Sequence, residues 1–100
     1  MSNIDGVDLC CLLWARADEA AGLEAYEDRV LALIPDHGGQ VLQRVRRTSD
    51  EAGPNEVQIY RFPSQSSLDS YLADPRRLAL AAERDRVVSR TELFPVAFLA

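Results

Sequence analysis

Along this chain the apolar positions switch between continuous runs, helical stripes and strict alternation, and each switch marks an element. Leu9 to Ala15, Leu-Cys-Cys-Leu-Leu-Trp-Ala, is an unbroken apolar run of strand length, the pattern of a strand covered on both faces. Arg16-Ala17-Asp18 then turns the chain, with Asp18 expected as a helix N-cap and Glu19 suited to the positive helix start. Leu23, Tyr26, Val30, Leu33 and Ile34 follow at helical spacing and form one apolar face; Pro35 and Gly38-Gly39 end it. Gln40 to Arg47 alternates, with Val41 and Val45 on one side and Leu42, Arg44 and Arg46 on the other. After a polar loop, Thr48 to Asn55, the segment Glu56 to Phe62 alternates again and sets Val57 and Ile59 opposite Gln58, Tyr60 and Phe62. These two segments predict an antiparallel hairpin whose valines and isoleucine face the helices.

Pro63-Ser64 opens a second helix with Leu68, Tyr71 and Leu72 on its apolar face. Asp74-Pro75 restarts or kinks it, Asp74 as cap and Pro75 in the first turn. Leu78, Ala81 and Ala82 continue the stripe beside Glu83-Arg84-Asp85-Arg86, Val87 to Phe94 reads as the last strand, and Pro95 to Ala100 is an apolar tail. The spacing Leu-x-x-Tyr occurs at Leu23–Tyr26 and again at Leu68–Tyr71, soon after a strand each time. Each half is therefore strand, helix, strand. The expected fold is α+β and ferredoxin-like, βαββαβ: a four-stranded antiparallel sheet with two helices on one face.

That fold leaves one sheet face open, yet the first strand is apolar toward both sides and Val96, Phe98 and Leu99 have no assigned partner. Something must cover the face. A second copy of the chain is the expected cover, since a two-fold pair is the commonest closed assembly; the alternative is a monomer whose tail folds back over its own sheet.

Composition narrows the field. At 100 residues, 47% of them hydrophobic, the chain is expected to be one domain, 1–100, with its core over about 8–96. A net charge of -5 argues against a nucleic-acid partner, which needs a basic surface. No apolar run is long enough for a membrane helix, and Met1 to Asp5 lacks the basic and apolar regions of a signal peptide, so a cytoplasmic location is expected. Cys10 and Cys11 are strand neighbours pointing to opposite faces and read as small buried hydrophobes; with His37 the only histidine, no metal site is expected. Glycine-rich phosphate loops and nucleophile elbows are absent, so no cofactor is expected either.

Glu56-Val-Gln-Ile-Tyr-Arg-Phe-Pro-Ser64, followed by Leu68-x-x-Tyr71, Asp74-Pro75 and Arg90-Thr-Glu-Leu93, resembles the dimeric α/β-barrel superfamily. Within it, the chain is similar to the small DUF1330-like and antibiotic-biosynthesis-monooxygenase-like proteins. The resemblance spans about residues 8 to 96 and implies two ferredoxin-like subunits packed sheet to sheet. It also implies a homodimer binding a small organic molecule, as a cofactor-free oxygenase or isomerase-like enzyme. A non-catalytic dimeric scaffold with a fully packed interior is the alternative, because fold transfers better than function.

The residues suited to such chemistry are few. With the valines toward the helices, Arg44 and Tyr60 share the opposite face; on the last strand Arg90 and Glu92 share one face and Thr91 and Leu93 the other, so Arg90 joins them in one of two orientations. There they can grip an acidic or phenolic molecule, Arg through its planar fork and Tyr as hydrogen-bond or proton-transfer group. The competing reading pairs such residues across a dimer, for instance Arg90 with Glu92 of the partner subunit. His37, at a helix exit, is the other catalytic candidate, although an exposed loop histidine is the usual case there. Trp14 either lines a pocket or belongs to the core. Tyr26 and Tyr71 point from the helices to the sheet and become pocket groups if that space opens. Arg44, Arg46, Arg47 and Arg61 form a basic hairpin surface.

Overall fold

Strand formation begins at Val7 in the computed structural model of the chain, which describes residues 6–99; Met1 to Asp5 and the tail residue Ala100 lie outside the described residues. The elements are β1 (Val7–Ala15), α1 (Ala20–Leu31), a 3₁₀ turn (Ile34–His37), β2 (Gln40–Arg46), β3 (Glu56–Phe62), α2 (Gln65–Leu72), α3 (Pro75–Leu78), α4 (Ala81–Val87) and β4 (Val88–Val96). All strand pairs are antiparallel, in spatial order β2-β3-β1-β4. This is the ferredoxin-like architecture that the periodicities predict. β1 lies inside the sheet, which explains its apolar run. The core gathers Leu9, Cys11 and Leu13 of β1, Tyr60 and Phe62 of β3, and Leu23, Tyr26, Val30, Leu68, Tyr71 and Val87 from the helices.

Local chemistry departs from expectation at several joints. Asp18 does not cap α1: it takes φ 63 in the turn closed by Glu19 N–H donating to Arg16 O at 2.9 Å, and Glu19 occupies the cap position without a side-chain bond. Aspartate tolerates the left-handed region better than most residues, so a turn claims it first. At the other end, Gly38 adopts φ 76 and closes the 3₁₀ turn. A Cβ on Gly39 would come within 2.7 Å of the Phe62 ring. Both glycines therefore serve backbone geometry.

The second crossover is not one helix but three short ones. Ser64 caps α2 by accepting from Ser67 N–H at 3.1 Å, and Asp74 Oδ1 caps α3 by accepting from Arg76 N–H at 2.8 Å. Pro75 cannot donate to the preceding turn and disfavours helix at Asp74, so the break falls between those two caps. β4 extends to Val96, two residues past the predicted end at Phe94. Pro95 is tolerated there because β4 is an edge strand.

The largest correction concerns the hairpin. Glu56, Gln58, Tyr60 and Phe62 face the helices and are 1%, 0%, 4% and 0% exposed, whereas Val57 and Ile59 are on the open face. On β2 a bulge between Val41 and Gln43 inserts Leu42 as an extra residue. Val41 then pairs with Tyr60 but Val45 pairs with Val57, so the two valines do not share a face. One inserted residue reverses the parity of everything after it. Arg44 and Arg46, opposite Gln58 and Glu56, are thereby turned toward α1.

Candidate functional site

The helix-facing side of β3 carries a buried polar chain that its alternation does not reveal. Arg44 Nε donates to Glu56 Oε1 at 2.5 Å, and its other nitrogens reach Asp28 Oδ1 at 2.6 Å and the Glu24 carbonyl at 3.1 Å, both on α1. Gln58 Nε2 donates to Glu56 Oε1 at 2.8 Å and to Glu27 Oε1 at 2.9 Å. Tyr60 completes the chain by donating its hydroxyl proton to Gln58 Oε1. Gln58 is thus fully engaged: both amide protons are given and the carbonyl accepts. An unmet buried group of this kind costs about 1–3 kcal/mol, so completeness is what allows four polar side chains under the helices.

Glu27 is the unusual member. It lies on α1, is only 4% exposed, and has a pKa raised from its ordinary value. Burial is the main cause and the nearby Glu56 charge adds to it, against the opposing hydrogen bond from Gln58. Burial also pushes the Tyr60 hydroxyl well above its usual value, Tyr71 up to about 12 and the Cys11 thiol up to about 11. The thiol is therefore a protonated, unreactive group at neutral pH.

Beside this chain, between helices and sheet, a cavity of about 40 Å³ remains. Cys11, Leu13 and Tyr60 form its floor on the sheet, and Glu27, Val30, Leu68 and Tyr71 its roof. Its partly exposed side is formed by Arg77, Arg84, Thr91 and Leu93. A single water needs about 10–15 Å³ measured this way, so the space takes a few waters or one small functional group. Its walls combine apolar surface with a few converging polar groups, as small-molecule sites do.

The structure does not bring the predicted residues together. Tyr60 reaches the cavity. Arg44 is committed to Glu56 and Asp28 at the sheet's edge. Arg90 lies on the opposite sheet face, where it pairs with Glu92 of its own strand and stacks over the Trp14 ring, 4.5 Å from the centroid. Trp14 is half-buried on that open face, neither in the core nor at the cavity. His37 is not an exposed loop residue: its side chain is 14% exposed and Nε2 lies 2.8 Å from Asp74 Oδ2. Asp74 also binds Arg76, so His37 ties the 3₁₀ turn to the start of α3. Tyr26 is core and Tyr71 lines the cavity.

Sequence reasoning missed Glu27, Gln58, Glu56, Arg77 and Arg84. One signal was available. Tyr60 and Phe62, the bulkiest apolar residues of β3, share parity with Glu56 and Gln58, and that pair should have outweighed Val57 and Ile59. Among the described residues no group of three His, Cys, Asp or Glu gathers as a metal site would require.

The open sheet face is apolar but crossed by charge. Cys10, Leu12 and Trp14 lie beside Phe94 and Val96 on one flank, and Val57, Ile59 and Val45 continue it on the other. Asp8 pairs with Arg61 at its rim. The described tail residues do not cover it: Phe98 lies under the Arg61 guanidinium and is 58% exposed, and Leu99 is 95% exposed.

No family model matches the chain, and no curated protein does. Solved structures do. A putative antibiotic biosynthesis monooxygenase from Bacteriodes thetaiotaomicron superposes with a TM-score of 0.77 at 14% identity, covering 99% of this chain and 94% of that one. SnoaB, a cofactor-independent oxygenase from Streptomyces nogalater, gives 0.69 at 17% identity over 95% and 96%. A dimeric protein of unknown function and ferredoxin-like fold from Bacteroides fragilis gives 0.71 at 12% identity over 94% and 97%. At these identities the likeness establishes the ferredoxin-like fold.

Proposed function

We propose that the protein is a cytoplasmic homodimer, closed through its open sheet faces, that binds a small organic molecule in the helix–sheet cavity. There it performs proton-transfer chemistry without a bound cofactor. The observation that carries this reading is Glu27: a buried carboxylate of raised basicity lining a cavity that also holds Tyr60. Such a group, once ionised, is a stronger general base than an exposed carboxylate. It takes a proton from a C–H acidified by an adjacent carbonyl, and the electron pair moves onto the carbonyl oxygen as an enolate. Returning the proton to another carbon completes an isomerisation. Addition of dioxygen to the enolate carbon, with the proton, gives a hydroperoxide, which loses water to leave a new carbonyl; the substrate supplies the electrons.

The oxygenase and monooxygenase-like structures that share the fold support the second outcome, and the two free cysteines suit a reducing compartment. The dimer rests on the uncovered apolar face and on the dimeric structure of the same fold. A packed scaffold is the competing reading, favoured by the small free volume.

The test is solvent deuterium exchange of the acidic C–H in a panel of small ketones and aldehydes, followed by proton NMR, with dioxygen consumption measured in parallel. Wild type accelerates exchange for at least one compound and Glu27→Gln does not. No acceleration and no binding across the panel would establish the scaffold instead.

A further inference from the structure

Two guanidinium groups at the cavity lack an acidic partner, and we infer that they receive an anionic ligand group: the site takes a short carboxylate carrying a carbonyl. This rests on the cavity being a small-molecule site, as proposed above, and narrows it to a chemical class.

The chain has more carboxylates than cations, sixteen against eleven. Seven of the arginines find acids: Arg29, Arg44, Arg46, Arg61, Arg76, Arg86 and Arg90. Four do not, within 4.0 Å and among the described residues: Arg16, which donates to the Asp85 carbonyl, Arg47, which donates to the Glu51 and Gly53 carbonyls and whose Nε is also buried without an acceptor, and, at the cavity, Arg77 and Arg84. The last two come from different short helices, α3 and α4, and line the same cavity. Arg77 Nε is buried with no acceptor; the rest of the group has a long contact, 3.4 Å, to the Leu72 carbonyl and lies against the neutral Tyr71 side chain, 5.2 Å from the ring centroid and near its hydroxyl. Arg84 Nη2 has the neutral Thr91 hydroxyl at 3.3 Å.

A buried donor without an acceptor costs about 1–3 kcal/mol, and a carboxylate or similar planar anion relieves it through the two-pronged geometry arginine offers. The acid that lines the cavity, Glu27, is turned to Gln58, whose Nε2 donates to it at 2.9 Å. The volume sets the size. At about 40 Å³ the cavity has far less room than the ~150 Å³ that a benzene ring occupies in an apolar cavity. A compact oxo acid keeps its carboxylate at the partly exposed side on Arg77 and Arg84, and only its carbonyl end, with the activated C–H, enters the cavity toward Glu27; the charge, the orphaned donor and the space are then met together.

The experiment is an NMR titration of the full chain with 2-oxobutanoate and with its neutral analogue 2-oxobutanamide. The acid binds at least about tenfold more tightly, the equivalent of one charge-assisted contact, and Arg77→Met and Arg84→Met each reduce that preference. Arg77→Lys, which keeps the charge but loses the fork, retains part of it. Equal affinity for acid and amide in wild type overturns the inference while leaving the cavity as a binding site. No binding of either overturns both.

Discussion

Replacing Arg44 by methionine separates a structural role from a ligand-binding one. The substitution keeps most of the aliphatic stem and removes the guanidinium that Glu56, with its side chain 2% exposed, depends on for charge. Glu56 then keeps only the hydrogen bond from Gln58, at 2.8 Å. Removing one partner of a buried pair costs about 3–5 kcal/mol. Arg44 is itself 29% exposed, so water reaches the site and the low end applies, roughly 3 kcal/mol. With a urea slope of about 1–3 kcal/mol per molar, the unfolding midpoint falls by about 1–3 M. The assay is equilibrium urea unfolding at fixed protein concentration, on which the stability of the proposed dimer would depend. Two companions make it decisive. Arg46→Met breaks an ion pair in which both side chains are substantially exposed and moves the midpoint by a small fraction of that amount. Arg44→Met combined with Glu56→Gln removes the stranded charge and recovers most of the loss. If Arg44→Met is no worse than Arg46→Met, or the double variant is no better than the single, the buried network is not what holds the β2 edge to α1.

Glu27→Gln is expected to stabilise the fold at neutral pH while abolishing the proposed proton transfer. Its raised pKa means the folded chain holds that proton more tightly than the unfolded one, so the contribution is complete below 4.5 and lost as pH rises through the raised value. Thermal melts of wild type therefore decline across that window relative to the variant. Asp74 behaves in the opposite sense: Arg76 and His37 hold its carboxyl below the ordinary 3.8, so its contribution is present above that value and lost as pH falls. Asp74→Ala should lower the melting temperature at neutral pH and flatten the acid limb of the stability profile. Phe94→Glu, on the open face, should halve the mass measured by sedimentation while leaving the far-ultraviolet dichroism unchanged.

Element order was legible because apolar runs report burial directly: the Leu9–Ala15 run, the stripe from Leu23 to Ile34 and the Asp74-Pro75 break each mark an observed feature. Which way the hairpin faced was not. Val57 and Ile59 outrank Gln58 in hydrophobicity, and nothing local tells that Gln58 will satisfy its amide against Glu27, thirty-one residues away. The bulge at Leu42 added an inversion that no propensity signals. The site suffered for the same reason. Tyr60 was found, but with the sheet's faces exchanged it was grouped with Arg90, which lies on the other side. Arg77 and Arg84 sit on two separate short helices of the broken crossover, and no spacing in the sequence shows that the two helices converge on one cavity.

The account stands most directly on one measurement: heteronuclear NMR of the isotope-labelled protein titrated with a library of small carbonyl compounds. It predicts that binding perturbs the resonances of Glu27, Tyr60, Leu68 and Tyr71 around the cavity, with Arg77 and Arg84 shifting most for carboxylates. Perturbations confined to the open sheet face, or none at any concentration, would contradict it and leave the interior as packing alone.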